Sequence, residues 1–290
     1  MKLATFTHAG RRQVGRIDTD RGADRITPLA IGAADGLQSL IEHLAAGSAM
    51  PAAAGEAIPL SQVQLEAPLP RPRRNVFCIG LNYRSHAAEL AARGFNGAKS
   101  ADDLIPKAVV AFSKVPESVI GPGAAIEIPA ASSAIDYEAE LAVVIGKPGK
   151  WISRAQAMDH VFGYTIVNDV TARDLQKRHQ QWLIGKSCDT FCPMGPWLVT
   201  RDAIDGAALG VRLWVNDELR QDGHTSDLVF DIPSIIEALS AGITLLPGDV
   251  IATGTPAGVG MATDPPRWLR RGDRVRVEID GLGTLENPVV

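Results

Sequence analysis

Between Ala108 and Asp280 the chain repeats one local design, a short apolar run closed by Gly, Pro, Asp or a polar turn. AVVAFSK (108–114), ELAVVIG (140–146), VFGYTIVND (161–169), GPWLVT (195–200), VRLWVND (211–217), DVIATG (249–254) and RVRVEID (274–280) all follow it. Runs of this length, rich in β-branched and aromatic residues, read as strands. From Val76 onward helical spacing is confined to segments around 84–93 and 172–180 and to IPSIIEALSAG (232–242), where Gly242 trails the apolar face. Strands and long helices do not alternate, so a doubly wound parallel sheet is not expected. The pattern predicts a mixed α/β fold, predominantly β and mostly antiparallel, with peripheral helices.

The run of strands has a different preface. Residues 1–66 read as a small β-rich N-terminal domain, with strands KLATF and VGRID around the turn His8-Ala9-Gly10-Arg11. LQSLIEHLAAG within it has helical spacing, with Gly47 placed as a C-cap. The proline-punctuated APLPRPRRN (67–75) reads as a linker, and 76–290 as the larger domain. A chain of 290 residues can bury a substantial core in this arrangement.

Charge and cysteines narrow the function classes. The net charge is −4 and there is no Lys/Arg run, so no nucleic-acid partner is expected. MKLATFTHAGRRQVG lacks the apolar centre of a signal peptide, and no run of about 18 apolar residues occurs, so no membrane association is expected. Three cysteines, Cys78, Cys188 and Cys192, read as reduced thiols of a cytoplasmic protein rather than a disulfide framework. No further Cys or His cluster completes a zinc site around Cys188 and Cys192. Nucleotide motifs fail as well. GTPAGVG (254–260) lacks the G-x-G-x-x-G spacing, and the GKS at 185–187 has Gln180 where a phosphate loop needs glycine. No G-x-S-x-G elbow anchors a serine nucleophile.

DYEAELAVVIGK (136–147) poses the chemical question. Strand alternation would put Asp136, Glu138 and Glu140 on one face, where like charges repel. A solvated outer face accommodates them, and so does a cation. In GYTIVNDVTARDLQKR (163–178) a strand runs into a helix, with Asp169 at the junction. Glu138, Glu140 and Asp169 together would supply three hard oxygen ligands of the kind Mg²⁺ prefers. In NYRSHAAEL (82–90), His86 and Glu89 stand three apart on one helix face. They are either a surface pair or a dyad in which the carboxylate fixes the imidazole tautomer and the free nitrogen moves a proton.

Six blocks from IGLNYRSHAAEL through DYEAELAVVIGK, GYTIVNDVTARDLQ, QWLIGKSCDTFCPMGPWLVT and LLPGDVIATGTPAGVG to GDRVRVEIDGLGTLENPV resemble, in order, the fumarylacetoacetate hydrolase family. The resemblance runs from about Asn75 to Val290 and implies that family's β-roll or barrel catalytic domain. It implies Mg²⁺ or Mn²⁺ on Glu138, Glu140 and Asp169, and His86 and Glu89 as a dyad on a lid. It places Lys186 beside the substrate as a catalytic cation, and Lys114, Gln176 and Thr255 as substrate contacts. The chain has FSKVP where the family pattern is F-x-K-P. Asp136, Arg173 and Asp174 fall to structural roles. The first expectation is metal-dependent hydrolysis of a C–C bond in an acylpyruvate-type 2,4-dioxo acid, releasing pyruvate. The alternative is an isomerase or decarboxylase of a 2-hydroxy-dienoic diacid or oxaloacetate using the same metal. A non-catalytic fold stapled by the metal is a third reading. The resemblance also implies a homodimer and a small-molecule 2-oxo acid as partner.

Overall fold

The computed structural model describes residues 1–20 and 23–290. The N-terminal strands are β1 (Lys2–His8), β2 (Arg11–Asp20), β3 (Ala23–Pro28), β4 (Ile58–Pro59) and β5 (Gln64–Leu65), with helix α1 (Gln38–Ala45) between β3 and β4. The β1–β2 hairpin turns on Ala9 and Gly10, both at positive φ, the geometry whose twist matches that of the flanking strands. Next come β6 (Val76–Gly80), α2 (Arg84–Ala92), β7 (Val110–Lys114), β8 (Val119–Ile120), β9 (Ile135–Asp136), β10 (Ala139–Ile145), β11 (Val161–Asn168) and β12 (Thr171–Ala172). The remainder is α3 (Arg173–His179), α4 (Leu183–Lys186), β13 (Cys192–Thr200), β14 (Gly210–Val215), β15 (Glu218–His224), α5 (Ile232–Ser240), β16 (Val250–Ala252), β17 (Arg274–Ile279) and β18 (Gly283–Pro288).

Among the described residues one large sheet runs β4-β3-β2-β1-β13-β11-β10-β16-β6-β7, with β5 on β1 and β8 on β13. Only β16·β6 and β13·β8 pair in parallel within it. A second, antiparallel sheet runs β15-β14-β17-β18, and β9 pairs β12. The expected mixed, strand-dominated architecture is what forms. The N-terminal strands join the large sheet directly, since β1 hydrogen-bonds β13 with Lys2 opposite Val199. Among the described residues no helix is long and apolar enough to cross a membrane.

Strand β10 shows why the fold closes where it does. All seven of its residues are buried. Leu141, Val143 and Ile145 enter one core with Tyr164, Ile166 and Val277, while Ala142 and Val144 enter another with Leu3, Val167 and Leu198. A strand covered on both faces needs a continuous apolar run rather than alternation, and from Leu141 to Ile145 that is what it has. Gly163 lets β13 pack close to β11, because a Cβ there would lie 2.2 Å from the Val199 carbonyl oxygen. A third, smaller cluster holds α2, with Ala87 and Leu90 against Leu104, Phe95 and Met261.

One local expectation is corrected. Residues 136–147 are not a single strand: β9 ends at Asp136 and β10 begins at Ala139. Side chains replace the ladder at the break. The Glu138 N–H donates to Asn168 Oδ1 at 3.0 Å and the Ala139 N–H to Gln221 Oε1 at 2.9 Å. The Tyr137 N–H turns back to Asp136 Oδ1 at 2.9 Å. The break sends Asp136 away from the alternation with Glu140 and into the turn at Gly260.

Candidate functional site

Glu138 and Glu140 flank the start of β10, and Asp169 follows the end of β11, which is β10's hydrogen-bonded neighbour. The pairing brings one oxygen of each acid within 4.8 Å of the others, and all three are buried. The solvated-face reading is therefore excluded by burial. Three cations surround the acids. Lys186 Nζ donates to Glu138 Oε2 at 2.7 Å and to Asp169 Oδ2 at 2.6 Å. Arg173 binds Asp136 through Nε at 2.8 Å and Glu138 through Nη2. Lys114 Nζ donates to Asp169 Oδ1 at 2.6 Å, to the Val170 carbonyl at 3.0 Å and to the Lys186 carbonyl.

The electrostatics are unequal. Burial alone would raise the pKa of Glu138, but Lys186 and Arg173 pull it far below the usual carboxylate range. Lys186 moves the other way. Burial works against its charge, yet Asp169 and Glu138 hold its ammonium above the ordinary lysine value. Glu140 is left over. Burial, then the charges of Asp169 and Glu138, push it well above its ordinary pKa, and Lys186 and the Gly254 N–H offset only part of this. Among the described residues no cation pairs with Glu140; Gly254 N–H donates to it at 2.8 Å.

This imbalance tests whether a metal suits the residues present. Four buried carboxylates, Asp136 included, face three cations, so one negative charge lacks a partner. A divalent cation among Glu138, Glu140 and Asp169 would supply it, and an all-carboxylate donor set suits Mg²⁺ or Mn²⁺. The residues fit the group.

The glycine-rich GTPAGVG segment, unfit for nucleotides, serves the protein's own acids. Its N–H groups bind Glu140 from Gly254, Glu89 from Gly258 at 2.9 Å, and Asp136 from Gly260 at 2.7 Å. Glu89 thereby ties α2 to the site and faces His86, whose Nδ1 lies 3.4 Å from Glu89 Oε2. With Nδ1–H turned to Glu89, Nε2 is the nitrogen left to handle a proton. His86 is only 6% exposed, so the pair is not the solvated surface pair that spacing alone allowed.

A cavity of about 610 Å³ opens over these groups. His86, Glu138, Glu140, Gln176, Lys186 and Thr255 all line it. Asp169 sits beneath, reached through Lys186. Lys114 is not among the lining residues. It is fully buried behind Asp169 with its ammonium committed to protein oxygens, a placement that suits anchoring and leaves it no substrate contact. Arg173, read as structural, ties Asp136 to Glu138 and also lines the cavity, where Nη1 donates to Gln176 Oε1 at 3.2 Å. Asp174 is structural: it accepts from Ser132 Oγ and the Ser133 N–H. The Thr255 hydroxyl accepts from Gln221 Nε2 at 2.8 Å.

Sequence reasoning missed several contributors. Asn82 donates to the Thr253 carbonyl at 2.8 Å and accepts the Phe230 N–H at 2.8 Å, locking β6 to the loop that binds Glu140. Its position directly after the apolar run VFCIGL was the available signal. Gln221 and the wall residue Trp268 stand in no motif, and the wall residue Trp182, inside the QWLIGK block, was given no role of its own.

A strand-rich fold carries, on one cavity, a buried three-carboxylate cluster that could hold a divalent metal, with a lysine and a His–Glu pair beside it. The Fumarylacetoacetate (FAA) hydrolase C-terminal family matches residues 75–290, and the chain belongs to that family. It is 53% identical over 232 residues to "Oxaloacetate tautomerase YisK" of Bacillus subtilis (strain 168), covering 79% of this chain and 74% of that one. Among solved structures, "Fumarylacetoacetate hydrolase (EaFAH)" of Exiguobacterium antarcticum superposes with a TM-score of 0.84 at 41% identity, over 100% of this chain and 99% of that one. A 2-hydroxyhepta-2,4-diene-1,7-dioate isomerase of Mycobacterium marinum gives 0.80 at 37%, over 100% and 98%.

Proposed function

We propose that the protein is a divalent-metal-dependent isomerase of 2-oxo acids, interconverting the enol and keto forms of an oxaloacetate-type substrate. The observation that carries this reading is the 53% identity, across 79% of the chain, to a relative named for that activity. It displaces C–C hydrolysis, the sequence's first expectation, in favour of the isomerase alternative.

A divalent cation bound by Glu138, Glu140 and Asp169 would supply a Lewis acid for the substrate's 1-carboxylate and 2-oxo oxygens. The rest falls to the chain's own residues. His86, oriented by Glu89, takes the proton from C3 or returns it there. Lys186, held as an ammonium by Glu138 and Asp169, stands beside the charge that develops on the 2-oxygen. Gln176 and Thr255 offer an amide and a hydroxyl to orient the carboxylate end. Helix α2, docked through Glu89 and Gly258, limits entry of water.

The hydrolase remains a second reading because a buried histidine paired with a half-buried glutamate can also activate water, and one structural neighbour is named a fumarylacetoacetate hydrolase. Product analysis separates the two. With Mg²⁺ and freshly dissolved enol oxaloacetate, NMR should show accelerated ketonisation. Acetylpyruvate should stay uncleaved over the same period. Stoichiometric release of pyruvate and acetate from acetylpyruvate, without effect on oxaloacetate, would replace the isomerase with the hydrolase.

A further inference from the structure

Strand β15 carries one residue more than its partner. Opposite β14, Leu219 pairs with Trp214 and Gln221 with Leu213, so Arg220 has no counterpart and the strand bulges there. A bulge re-aims the side chains around it. Leu219 and Gln221 stand two apart and on a regular strand would share a face. Here Leu219 is 47% exposed and Gln221 is fully buried. The acid-binding loop 254–260 is packed against this strand at close range. A Cβ on Gly258 would collide with the Arg220 carbonyl oxygen, and one on Gly223 would collide with Pro256.

Turned inward, Gln221 meets groups that leave its amide one orientation. Its Oε1 accepts the Ala139 N–H at 2.9 Å, between the two glutamates of the cluster, and a backbone N–H can only donate. Its Nε2 faces the Pro256 carbonyl at 2.9 Å, which can only accept, and the Thr255 hydroxyl at 2.8 Å. Exchanging oxygen and nitrogen would set donor on donor at one end and acceptor on acceptor at the other. The consequence falls on Thr255. A threonine hydroxyl has one proton and two lone pairs. With Gln221 donating to its oxygen, the proton is left for another acceptor, and among the described residues none takes it. Thr255 is only 5% exposed, and it lines the cavity.

We infer that Gln221 is a positioning residue: it fixes the Thr255 hydroxyl as a hydrogen-bond donor to the carboxylate of the bound acid, and the bulge at Arg220 turns it to that task. The inference rests on the 2-oxo acid reading above, which supplies the anion. A hydroxyl free to rotate presents a lone pair to that anion as readily as a proton. One that already accepts from Gln221 has its donor end set before the ligand arrives, so the ordering is not drawn from the binding energy. The same amide holds Ala139. One side chain of the second sheet thus ties the backbone between Glu138 and Glu140 to the polarity of Thr255.

Calorimetric titration of the Mg²⁺-loaded protein with oxalate tests it. Gln221→Glu keeps the volume and the acceptor for Ala139 but puts an oxygen where the donating nitrogen stood, so Thr255 turns its proton toward the new carboxylate. Oxalate should bind at least about tenfold more weakly, as for a lost hydrogen bond to a charged group, while the Mg²⁺-induced rise in melting temperature is retained. Gln221→Met leaves the hydroxyl free to rotate and should fall between the two. Thr255→Val removes the hydroxyl and leaves Nε2 the Pro256 carbonyl, and in that background Gln221→Glu should cost nothing further. A full loss persisting there would trace to the new charge or a distorted loop, and would overturn the inference. So would wild-type affinity in both Gln221 variants, or in Gln221→Glu alone should Gln221→Met not fold. If the wild type binds neither oxalate nor 2-oxobutanoate, the 2-oxo acid reading itself falls, and this one with it. Wild-type binding that is indifferent to Gln221 removes only the positioning role.

Discussion

At the scale of single residues, the site is a charge problem solved by three cations and left one short at Glu140. Glu140→Gln should therefore lose the metal-induced rise in melting temperature while the metal-free protein becomes as stable as the wild type or more so. The reason is that the substitution removes a group pressed by burial and by Asp169 and Glu138. Calorimetric melting with Mg²⁺ and with EDTA checks both halves. Lys114 is the opposite case. Replacing it by Met strands the buried Asp169 oxygen and two carbonyls, and should cost about 3–5 kcal/mol in urea unfolding. Type and spacing marked Glu138, Glu140 and Asp169 as candidate ligands but left a solvated face open; the resemblance singled them out, and burial removed the solvated face. Lys114 was placed by its motif at the substrate, but FSKVP says nothing of the fold that turns its ammonium toward Asp169. Trp268 stood in no motif and Trp182, though inside the QWLIGK block, was assigned no role, for the same reason: an aromatic acquires its role only from what the fold sets across the cavity.

At the scale of elements, α1, α2, α3 and α5 announced themselves, while the short α4 and the interrupted strand did not. IPSIIEALSAG becomes α5 with Asp231 as its N-cap, accepting the Ser234 N–H at 2.9 Å, while Ile235, Ile236 and Leu239 are buried. Burial works against the charge of Asp231, but Ser234 and Arg154 outweigh it and lower the pKa. A depressed carboxylate stabilises the fold above its unfolded pKa, about 3.9, and loses that contribution as pH falls through the folded value. Asp231→Ala should then cost about 1 kcal/mol at pH 7, and the gap to the wild type should close in melts run progressively below about pH 4. The break between β9 and β10 could not be read, because Asn168 and Gln221 stand in for ladder partners from distant positions. Helix α2 depends on Glu89 in the same way. Glu89→Ala should loosen it from Gly258, and amide exchange should rise through residues 84–92 and at Gly258 while β10 stays protected.

At the scale of the whole molecule, the site lies where two cores meet. β10 feeds both, and β11, β16 and β6 carry Asp169, the Gly254 loop and α2 to its end. The mostly antiparallel, strand-rich class followed from the turn-bounded runs. That β1 would pair with β13 did not, since Lys2 and Val199 meet only in the finished fold. A metal that binds the folded chain alone should stabilise all of it together. At a hundredfold excess over its dissociation constant it contributes about 2.7 kcal/mol, or a rise in melting temperature of roughly 4–5 °C for a chain of 290 residues. The most direct measurement of the whole account is the ultraviolet decay of enol oxaloacetate with catalytic protein, in Mg²⁺ and then in EDTA, for the wild type and His86→Ala. A tautomerase that works through its metal and His86 should give an accelerated decay that needs Mg²⁺ and is lost in His86→Ala. An acceleration indifferent to EDTA and to His86, or none at all with the metal bound, would contradict it.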